Sequence, residues 1–221
     1  MNRTFGWIAL ASTALFLGAC GGGNHDTPAT NTPTETAKPT VAVDDLGTGS
    51  FVVSVGDANA PAVGKYYGAA DGTRLLVLSD SEDHATQSYR RAAGGAWVAV
   101  PGTDKDVQVH FLRSNALPDL SLSLAALAKH YRVMVAAGVS ADFTLMADGT
   151  ITPGTTSCKL SGKVSAGALP NTMKLSLATT GCALPSSATG VIAFDGDYAP
   201  AAFRMLADDG AQIVDLWAYP E

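Results

Sequence analysis

The sequence predicts an all-β domain, either an antiparallel barrel or a β-sandwich, with at most one short helix. Short apolar runs recur at intervals of roughly ten residues from residue 51 onward, a spacing typical of antiparallel all-β folds. Gly, Pro, Asn and Asp separate these runs. The hydrophobic content of 47 % is sufficient for a sizeable core. We therefore expect one β-rich domain over residues 41–221.

The candidate strands are apolar or alternating segments between turn residues. In chain order they are residues 51–55, 64–68, 73–79, 86–92, 96–100, 106–112, 132–137, 143–146, 157–164, 173–178, 190–194, 201–206 and 212–219. Asp71-Gly72 and Asp148-Gly149 fall between runs, and Asp-Gly is a strong signal for a tight hairpin. Each pair lies within a copy of the tetrapeptide A-D-G-T. This repetition indicates either two related halves or shared turn chemistry.

Two segments need separate interpretation. In residues 118–131 an alternating start is followed by helical spacing of apolar residues, so we expect a short helix over residues 120–130. The last run, residues 212–219, is apolar on both faces, with Trp217 and Tyr219 on one of them. A strand apolar on both faces is central in a sheet or closes a barrel.

The N-terminus predicts export. Residues 4–19 are uncharged and mostly apolar, and Arg3 is the only charge before Cys20. A charged start, a short apolar core and small residues before the cut describe a secretory signal peptide, here residues 1–19. Residues 20–40 contain almost no large apolar side chain, so we expect a disordered Gly/Thr/Pro-rich tether.

Leu17-Gly18-Ala19-Cys20 resembles the lipobox of bacterial lipoproteins. The resemblance implies cleavage between Ala19 and Cys20, diacylglycerol on the Cys20 sulfur and an acyl chain on the new amine. Several acyl chains hold a protein stably at a membrane. In enteric bacteria an aspartate after the cysteine favours inner-membrane retention. Gly21 at that position implies the outer membrane, on a face that the sequence does not specify.

Two cysteines remain, Cys158 and Cys182. In an exported chain they predict one disulfide, which would close a loop of about 25 residues and stabilise the fold by about 3 kcal/mol. A metal pair is the alternative, although no further ligand sits nearby in sequence.

The cysteines bracket a hairpin with its turn at residues 169–171. Direct pairing of the cysteines would turn leucines of the second strand toward lysines of the first. A register shifted by one residue lets the apolar positions of both strands share a face; they are Leu160, Val164, Leu175 and Leu177. The shift leaves one extra residue, so we predict a glycine bulge at Gly181.

Three stretches resemble a group of small uncharacterised proteobacterial lipoproteins: G-K-Y-Y-G-A-A-D-G-T-R-L-L-V-L (residues 64–78), the Cys-bracketed hairpin C-K-L-S-G … G-C-A-L-P (158–185), and S-S-A-T-G-V-I-A-F-D (186–195). In that group a glycine-aromatic strand opens the domain, and the hairpin with a G-V-A-like strand closes it. Residues 80–130 depart from the pattern. The group has no known activity, so the resemblance implies only fold and anchoring.

Composition and motifs exclude several function classes. The formal net charge is −6, and Arg90-Arg91 is the only basic cluster, so we expect no nucleic-acid partner. No G-x-S-x-G, S-x-x-K, H-E-x-x-H or G-x-x-x-x-G-K-[ST] motif occurs. We interpret His84, His110 and His130 as structural. We interpret the acidic segments 80–84, 195–197 and 208–210 as solvated turns, with weak calcium binding as the alternative.

The leading hypothesis is therefore a non-enzymatic lipoprotein of the outer membrane. It would act as a structural, interaction or small-ligand-binding module, attached through its lipid and without a cofactor or metal. The second hypothesis is an inhibitor of a secreted enzyme such as lysozyme or a protease. The third is an envelope hydrolase that assembles its site from distant residues, for example one of the histidines with an aspartate.

Overall fold

The computed structural model describes residues 38–120 and 123–221. They belong to one compact unit, Lys38–Glu221. The predicted all-β class is confirmed: the unit contains a closed antiparallel barrel and, among the described residues, one short α-helix. The predicted signal peptide and residues 20–37 of the predicted tether lie outside the described residues.

The N-terminal half forms an open sheet and a small strand pair. Its strands are β1 (Val41–Val43), β2 (Gly49–Asp57), β3 (Ala60–Gly68), β4 (Arg74–Ser79), β5 (Ala85–Arg91), β6 (Trp97–Val100), β7 (Val107–Val109) and β8 (Phe111–Ala116). Six of them form an antiparallel sheet in the order β6-β5-β4-β3-β2-β8, and β1 pairs in parallel with β7.

Both faces of the six-stranded sheet bury apolar side chains, because successive residues of a strand point to opposite faces. Tyr66 and Leu76 are register partners on β3 and β4 and pack with side chains of β1 and β7. Tyr67 and Leu75, the next register pair, lie on the other face and pack against the barrel. The sheet therefore forms a layer between the β1–β7 pair and the barrel.

The C-terminal half forms the barrel. Its strands are β9 (Lys129–Ala136), β10 (Val139–Leu145), β11 (Thr150–Pro153), β12 (Lys159–Ala166), β13 (Thr172–Thr180), β14 (Ser187–Ala193), β15 (Phe203–Asp208) and β16 (Ile213–Pro220). Each strand pairs with the next along the chain, and β16 returns to β9 through Tyr219 opposite Arg132. The doubly apolar last run thus closes the barrel, one of the two positions predicted for it.

The barrel interior is filled by its own side chains. Tyr131, Phe143 and Phe203 lie inside with at most 1 % exposure. The Tyr131 ring centroid is 5.5 Å from that of Phe143 and 4.8 Å from that of Phe203. Leucine, isoleucine and valine side chains from the other strands complete the cluster. The barrel therefore has a packed core, as small barrels generally do.

Two predicted elements differ from the structure. The single run predicted over residues 106–112 is two strands, because the Asp44 carboxylate accepts the Phe111 backbone N–H at 2.9 Å and lies 3.0 Å from His110 Nδ1. The helix predicted over residues 120–130 spans only Leu124–Leu127. It ends early because Tyr131, counted in the helical pattern, lies inside the barrel on β9. The short strands β1 and β11 were not predicted.

The predicted disulfide and its register are confirmed. Cys158 and Cys182 are bonded, with 4.8 Å between their Cα atoms. Val164 lies opposite Leu175, the register shifted by one residue from direct pairing of the cysteines. Gly181 takes up the extra residue at a φ of 71°. It does so just after β13 ends, rather than as a bulge within the ladder.

The two A-D-G-T turns have the same hydrogen bonds. The Asp71 carboxylate accepts the Thr73 backbone N–H at 2.8 Å, and Asp148 accepts that of Thr150 at 2.8 Å. In each turn the glycine has a positive φ, 90° and 87°, a conformation that glycine adopts without steric cost. One turn lies in the open sheet and the other in the barrel, so shared turn chemistry accounts for the repeat.

Candidate functional site

One face of the six-stranded sheet packs on the outer wall of the barrel. Tyr67, Leu75 and Val77 of the sheet contact Val191 and Leu206 of the barrel, and all five are buried. This contact area is apolar and excludes water. It fixes the two β-structures against each other and determines where space remains between them.

A buried ion pair reinforces the contact. Arg204 on β15 donates from Nε and Nη2 to the two oxygens of Asp215 on β16, at 2.7 and 2.6 Å. Nη2 also donates to the Asp83 carbonyl at 2.6 Å, and Asp215 accepts the Ala85 backbone N–H at 2.7 Å. The β4–β5 turn of the sheet is thereby held on the barrel. Burial alone would lower the pKa of Arg204, but Asp215 outweighs it and raises the pKa.

The same interface contains two buried tyrosines. Among the described residues, neither the Tyr67 nor the Tyr198 hydroxyl has a hydrogen-bond partner. Burial raises the pKa of Tyr67, so its phenol stays protonated. Tyr198 packs its ring 4.8 Å from that of Trp217, and Lys65, paired with Asp195, lies 5.7 Å from the Tyr198 ring. Tyr67, Tyr198 and Trp217 thus belong to the same apolar cluster that joins the sheet to the barrel.

Beside the contact area the sheet and the barrel separate and leave a cleft of about 700 Å³. The sheet lines it with β4, β5 and the turns that follow β3 and β5. The barrel lines it with outward side chains of β12 to β16 and with the β12–β13 turn. Clefts of about 300 to 1,000 Å³ are the usual size of small-molecule sites.

The strand register arranges the barrel side of the cleft as two rows of outward side chains. One row is Ser165, Lys174, Val191 and Leu206, and the other is Lys163, Ser176, Thr189 and Asp208. Both rows run from lysine and serine on β12 and β13 to residues near the sheet on β14 and β15. The cleft therefore has a polar, basic part and an apolar part.

Basic side chains are concentrated at the cleft. Five of the 14 Lys and Arg residues of the chain line it, against two acidic residues, although the chain as a whole is acidic. The basic residues are Arg74, Arg90, Arg91, Lys163 and Lys174, and the acidic ones are Asp71 and Asp208. The cleft is thus the region where a positive potential is expected on an otherwise negative protein.

Two of the arginines share one carboxylate. Asp45 accepts from Arg74 Nε at 2.9 Å and from Arg91 Nη2 at 2.7 Å. Burial on its own would raise the pKa of Asp45, but hydrogen bonds from Arg74, the Gly47 backbone N–H and Arg91 hold it well below its usual range. One negative charge therefore faces two positive charges at this end of the sheet.

Arg90 spans the cleft from β5 to the barrel. Its Nε and Nη2 donate to the two oxygens of Asp208, at 3.1 and 3.2 Å. The Asp208 side chain is 8 % exposed, whereas that of Arg90 is 47 % exposed. A second cavity of about 240 Å³ lies on the far side of this pair and shares Arg90, Thr189 and Asp208 with the main cleft.

The two lysines of the barrel wall are the most available cations. Lys163 lies 3.3 Å from Asp148 and 3.1 Å from the Thr150 hydroxyl, a pair in which both side chains are at least half exposed. Among the described residues, Lys174 forms no ion pair. Exposed pairs contribute little energy, so both ammonium groups are available to a ligand.

The residues singled out in the sequence do not form this cleft. Ala19 and Cys20 lie outside the described residues. The disulfide joins the far ends of β12 and β13, and its cysteines are not in the lining. His84, His110 and His130 are exposed and also absent from the lining. His84 lies 3.7 Å from both Asp80 and Glu82, and the described residues contain no group of three potential metal ligands.

Sequence reasoning missed the cleft because it depends on a contact between distant elements. The Arg90-Arg91 cluster is visible in the sequence, but nothing there shows that Arg90 faces Asp208, 118 residues away. The lysines of β12 and β13 alternate with buried residues, which signals an outward, basic barrel wall. That signal predicts the wall and not what lies opposite it.

Comparison with known proteins gives no assignment, since the chain matches no protein family, no curated protein and no solved structure. In the part of the chain that the structure describes, no helix is long and apolar enough to cross a membrane.

Proposed function

We propose that the folded unit binds a small molecule in the cleft between the six-stranded sheet and the barrel. The observation that supports this is the contrast between two spaces of the same molecule. The barrel interior is occupied by its own side chains, whereas the cleft of about 700 Å³ remains open beside a buried apolar cluster. Apolar surface with a few convergent polar groups is the usual composition of a ligand site.

Binding rather than turnover is the activity that the lining supports. It contains no histidine and no cysteine. Its serines on β12 and β13 lie beside Lys163 and Lys174, but both lysines are exposed, whereas a lysine that serves as a base for a nucleophile is typically desolvated by burial. We propose a non-enzymatic role on this basis.

We further propose that the module is anchored to the outer membrane through lipid on Cys20. The support is the lipobox-like sequence L-G-A-C at residues 17–20 and the following segment, which contains almost no large apolar side chain. Mass spectrometry of the protein from its membrane fraction should give a chain that starts at Cys20 and carries the mass of the acyl groups. An unmodified Cys20 would overturn the anchoring proposal and leave the cleft proposal intact.

The binding proposal is tested by blocking the cleft. Ser176 lies on β13 with its side chain in the cleft, and Ala178 lies two residues further along the same outward face, outside the lining. Ser176→Trp fills the cleft, and Ala178→Trp is the matched control. Both are made in the full chain carrying Cys20→Ser, which removes the proposed acylation site and leaves every described residue unchanged.

Calorimetric titration with three twelve-carbon amphiphiles below their micelle concentrations provides the measurement: dodecanoate, dodecyl maltoside and dodecyltrimethylammonium. We expect at least one to bind the unblocked protein at one site, with binding lost in Ser176→Trp and kept in Ala178→Trp. Absence of binding by all three, or equal binding by both tryptophan variants, would overturn the proposal.

A further inference from the structure

We infer that the ligand of the cleft is a single-chain amphipathic anion, whose charged group binds four donors on the barrel wall and whose chain lies against the apolar part. This inference rests on the proposed function and specifies its ligand class. It follows from the separation of charged and apolar side chains along the cleft. It also follows from the surplus of basic side chains over the acidic side chains that pair with them.

The four donors are defined by the β12–β13 register. Lys163 lies opposite Ser176, and Ser165 lies opposite Lys174. All four side chains point out of the barrel, are exposed and line the cleft. Directly opposite and diagonal neighbours on a sheet face are about 5 to 8 Å apart. Two ammonium groups and two hydroxyl groups can therefore converge on one carboxylate, phosphate or sulfate; we call this set the donor quartet.

The apolar part begins beside the quartet. Val191 is the register partner of Lys174 on β14, and Leu206 is the partner of Val191 on β15. Leu75 and Val77 face them from the sheet. These four side chains also line the cleft, so a ligand with its charge at Lys174 places its hydrocarbon against the edge of this apolar contact. This order of side chains suits an amphiphile with one charged terminus.

The balance of charges favours an anion. Arg90 is matched by Asp208, and Arg74 and Arg91 exceed Asp45 by one positive charge. Lys174 has no acidic partner among the described residues, and Lys163 has only an exposed one. Asp71, the remaining lining acid, accepts the Thr73 backbone N–H within its own turn. An anion thus gains favourable charge interactions, and a cation would meet a positive surplus.

The test compares the same three twelve-carbon amphiphiles and adds dodecyl sulfate and dodecyl phosphate, which share the anionic class. We expect the anions to bind the Cys20→Ser chain about tenfold more tightly than dodecyl maltoside, since a factor of ten corresponds to about 1.4 kcal/mol, the scale of two partly exposed ion pairs. Their advantage should shrink as salt is raised from about 0.05 to about 0.5 M.

Two variants locate the charged group. Lys174→Gln should weaken dodecanoate binding about fivefold and dodecyl maltoside binding by much less, because the neutral headgroup loses no ion pair. Lys174→Glu should reverse the preference, so that dodecyltrimethylammonium binds more tightly than dodecanoate. Partial unfolding would expose apolar surface and strengthen the binding of dodecyl maltoside as well, so an unchanged affinity for that neutral chain distinguishes a reversed charge preference from unfolding. Lys129→Glu, an exposed lysine on β9 outside the lining, is the matched control and should change neither affinity.

The outcomes separate the two proposals. Equal affinities for anionic, neutral and cationic chains, or no effect of Lys174→Glu, would overturn the anion assignment and keep the cleft as a binding site. If Ser176→Trp abolishes binding but the unblocked protein binds anionic, neutral and cationic chains without preference, the cleft is a binding site and the anion assignment is wrong. No binding of any chain to the unblocked protein would overturn both. Binding to vesicles of anionic phospholipid, without binding of free amphiphiles, would overturn the assignment to a free single-chain ligand.

Discussion

The six-stranded sheet and the barrel are both largely built of antiparallel hairpins, yet they bury their apolar side chains in different ways. The barrel encloses its core: Phe143, Phe203 and their neighbours fill the interior, with Leu127 of the short helix added and no side chain from the six-stranded sheet. The sheet has no interior and depends on cover from both sides, with β1 and β7 on one face and the barrel on the other. Burial of the sheet's apolar side chains therefore depends on contact with the barrel, whereas burial of the barrel core does not depend on the sheet.

This difference explains the position of the cleft. A barrel wall curves, so a sheet laid against it stays in contact over a few strands and separates beyond them. Here contact is made at Val191 on β14 and Leu206 on β15, and the gap opens over β12 and β13. The ligand space proposed above is therefore a consequence of packing an open sheet on a closed one.

The largest expected effect comes from the barrel core. Phe143→Ala removes a ring with 0 % exposure that no other element can replace, and should lower the free energy of unfolding by about 3 to 5 kcal/mol. Leu76→Ala is the matched change in the sheet, also at 0 % exposure, with an expected loss of about 2 to 5 kcal/mol. Urea unfolding followed by circular dichroism and tryptophan fluorescence measures both.

Because the sheet is covered by the barrel, each variant should unfold in a single transition with coincident probes. Two transitions in Leu76→Ala, with the barrel unfolding at the wild-type urea concentration, would contradict the expected single transition. In that case the barrel would be an independent unit, and its contact with the sheet would contribute nothing to its stability.

The barrel also differs from the open sheet in having a disulfide, which joins the ends of its β12–β13 hairpin. Cys158 and Cys182, 24 residues apart, join the ends of the hairpin that carries the donor quartet. The Cys158→Ala/Cys182→Ala variant should lose about 3 kcal/mol through the greater entropy of its unfolded chain. Unfolding of the wild type with and without reductant provides a second measurement. An unchanged urea midpoint would show that the loop is already restricted in the unfolded state.

Much of the fold could be predicted from the sequence because its signals are local. The turn at Asp71-Gly72 follows from the conformational freedom of glycine. The two apolar faces of β16 limited it to a central or a closing position, and it takes the closing one. The register of the disulfide hairpin follows from aligning Val164 with Leu175. Predictions failed where distant residues decide: Asp44 divides β7 from β8, and the core position of Tyr131 shortens the helix.

The candidate site could not be predicted for the same physical reason. Lys174 has the pattern of an ordinary outward residue of an amphipathic strand, and Leu75 and Val77 have that of ordinary core residues. Their relation exists only once the sheet lies on β14 and β15. A site formed between two layers has no signature at fixed spacing in the sequence, unlike a metal or phosphate-binding motif.

The next largest effect is expected at the Arg204–Asp215 ion pair, which links the barrel to the β4–β5 turn of the sheet. Asp215→Asn keeps the shape of the side chain and removes the charge that pairs with Arg204, which is 3 % exposed. We expect a loss of about 2 kcal/mol, in the range for hydrogen bonds to charged groups. Arg204→Met combined with Asp215→Asn should restore part of this loss, because no unpaired buried charge remains. Additive losses in a double-mutant cycle would contradict the proposed direct coupling.

The smallest effect is a pH dependence that resides mainly in the sheet. Hydrogen bonds from Arg74, the Gly47 backbone N–H and Arg91 hold the pKa of Asp45 below the 3.8 of the free side chain, and that carboxylate is 40 % exposed. Its contribution is therefore present above about pH 4 and is lost as pH falls toward its folded-state value. Asp45→Asn should lower the urea midpoint at about pH 7, and the difference from wild type should shrink steadily as the pH falls from about 4 to about 2. A constant difference across this range would show that Asp45 stabilises the sheet through packing rather than through its charge.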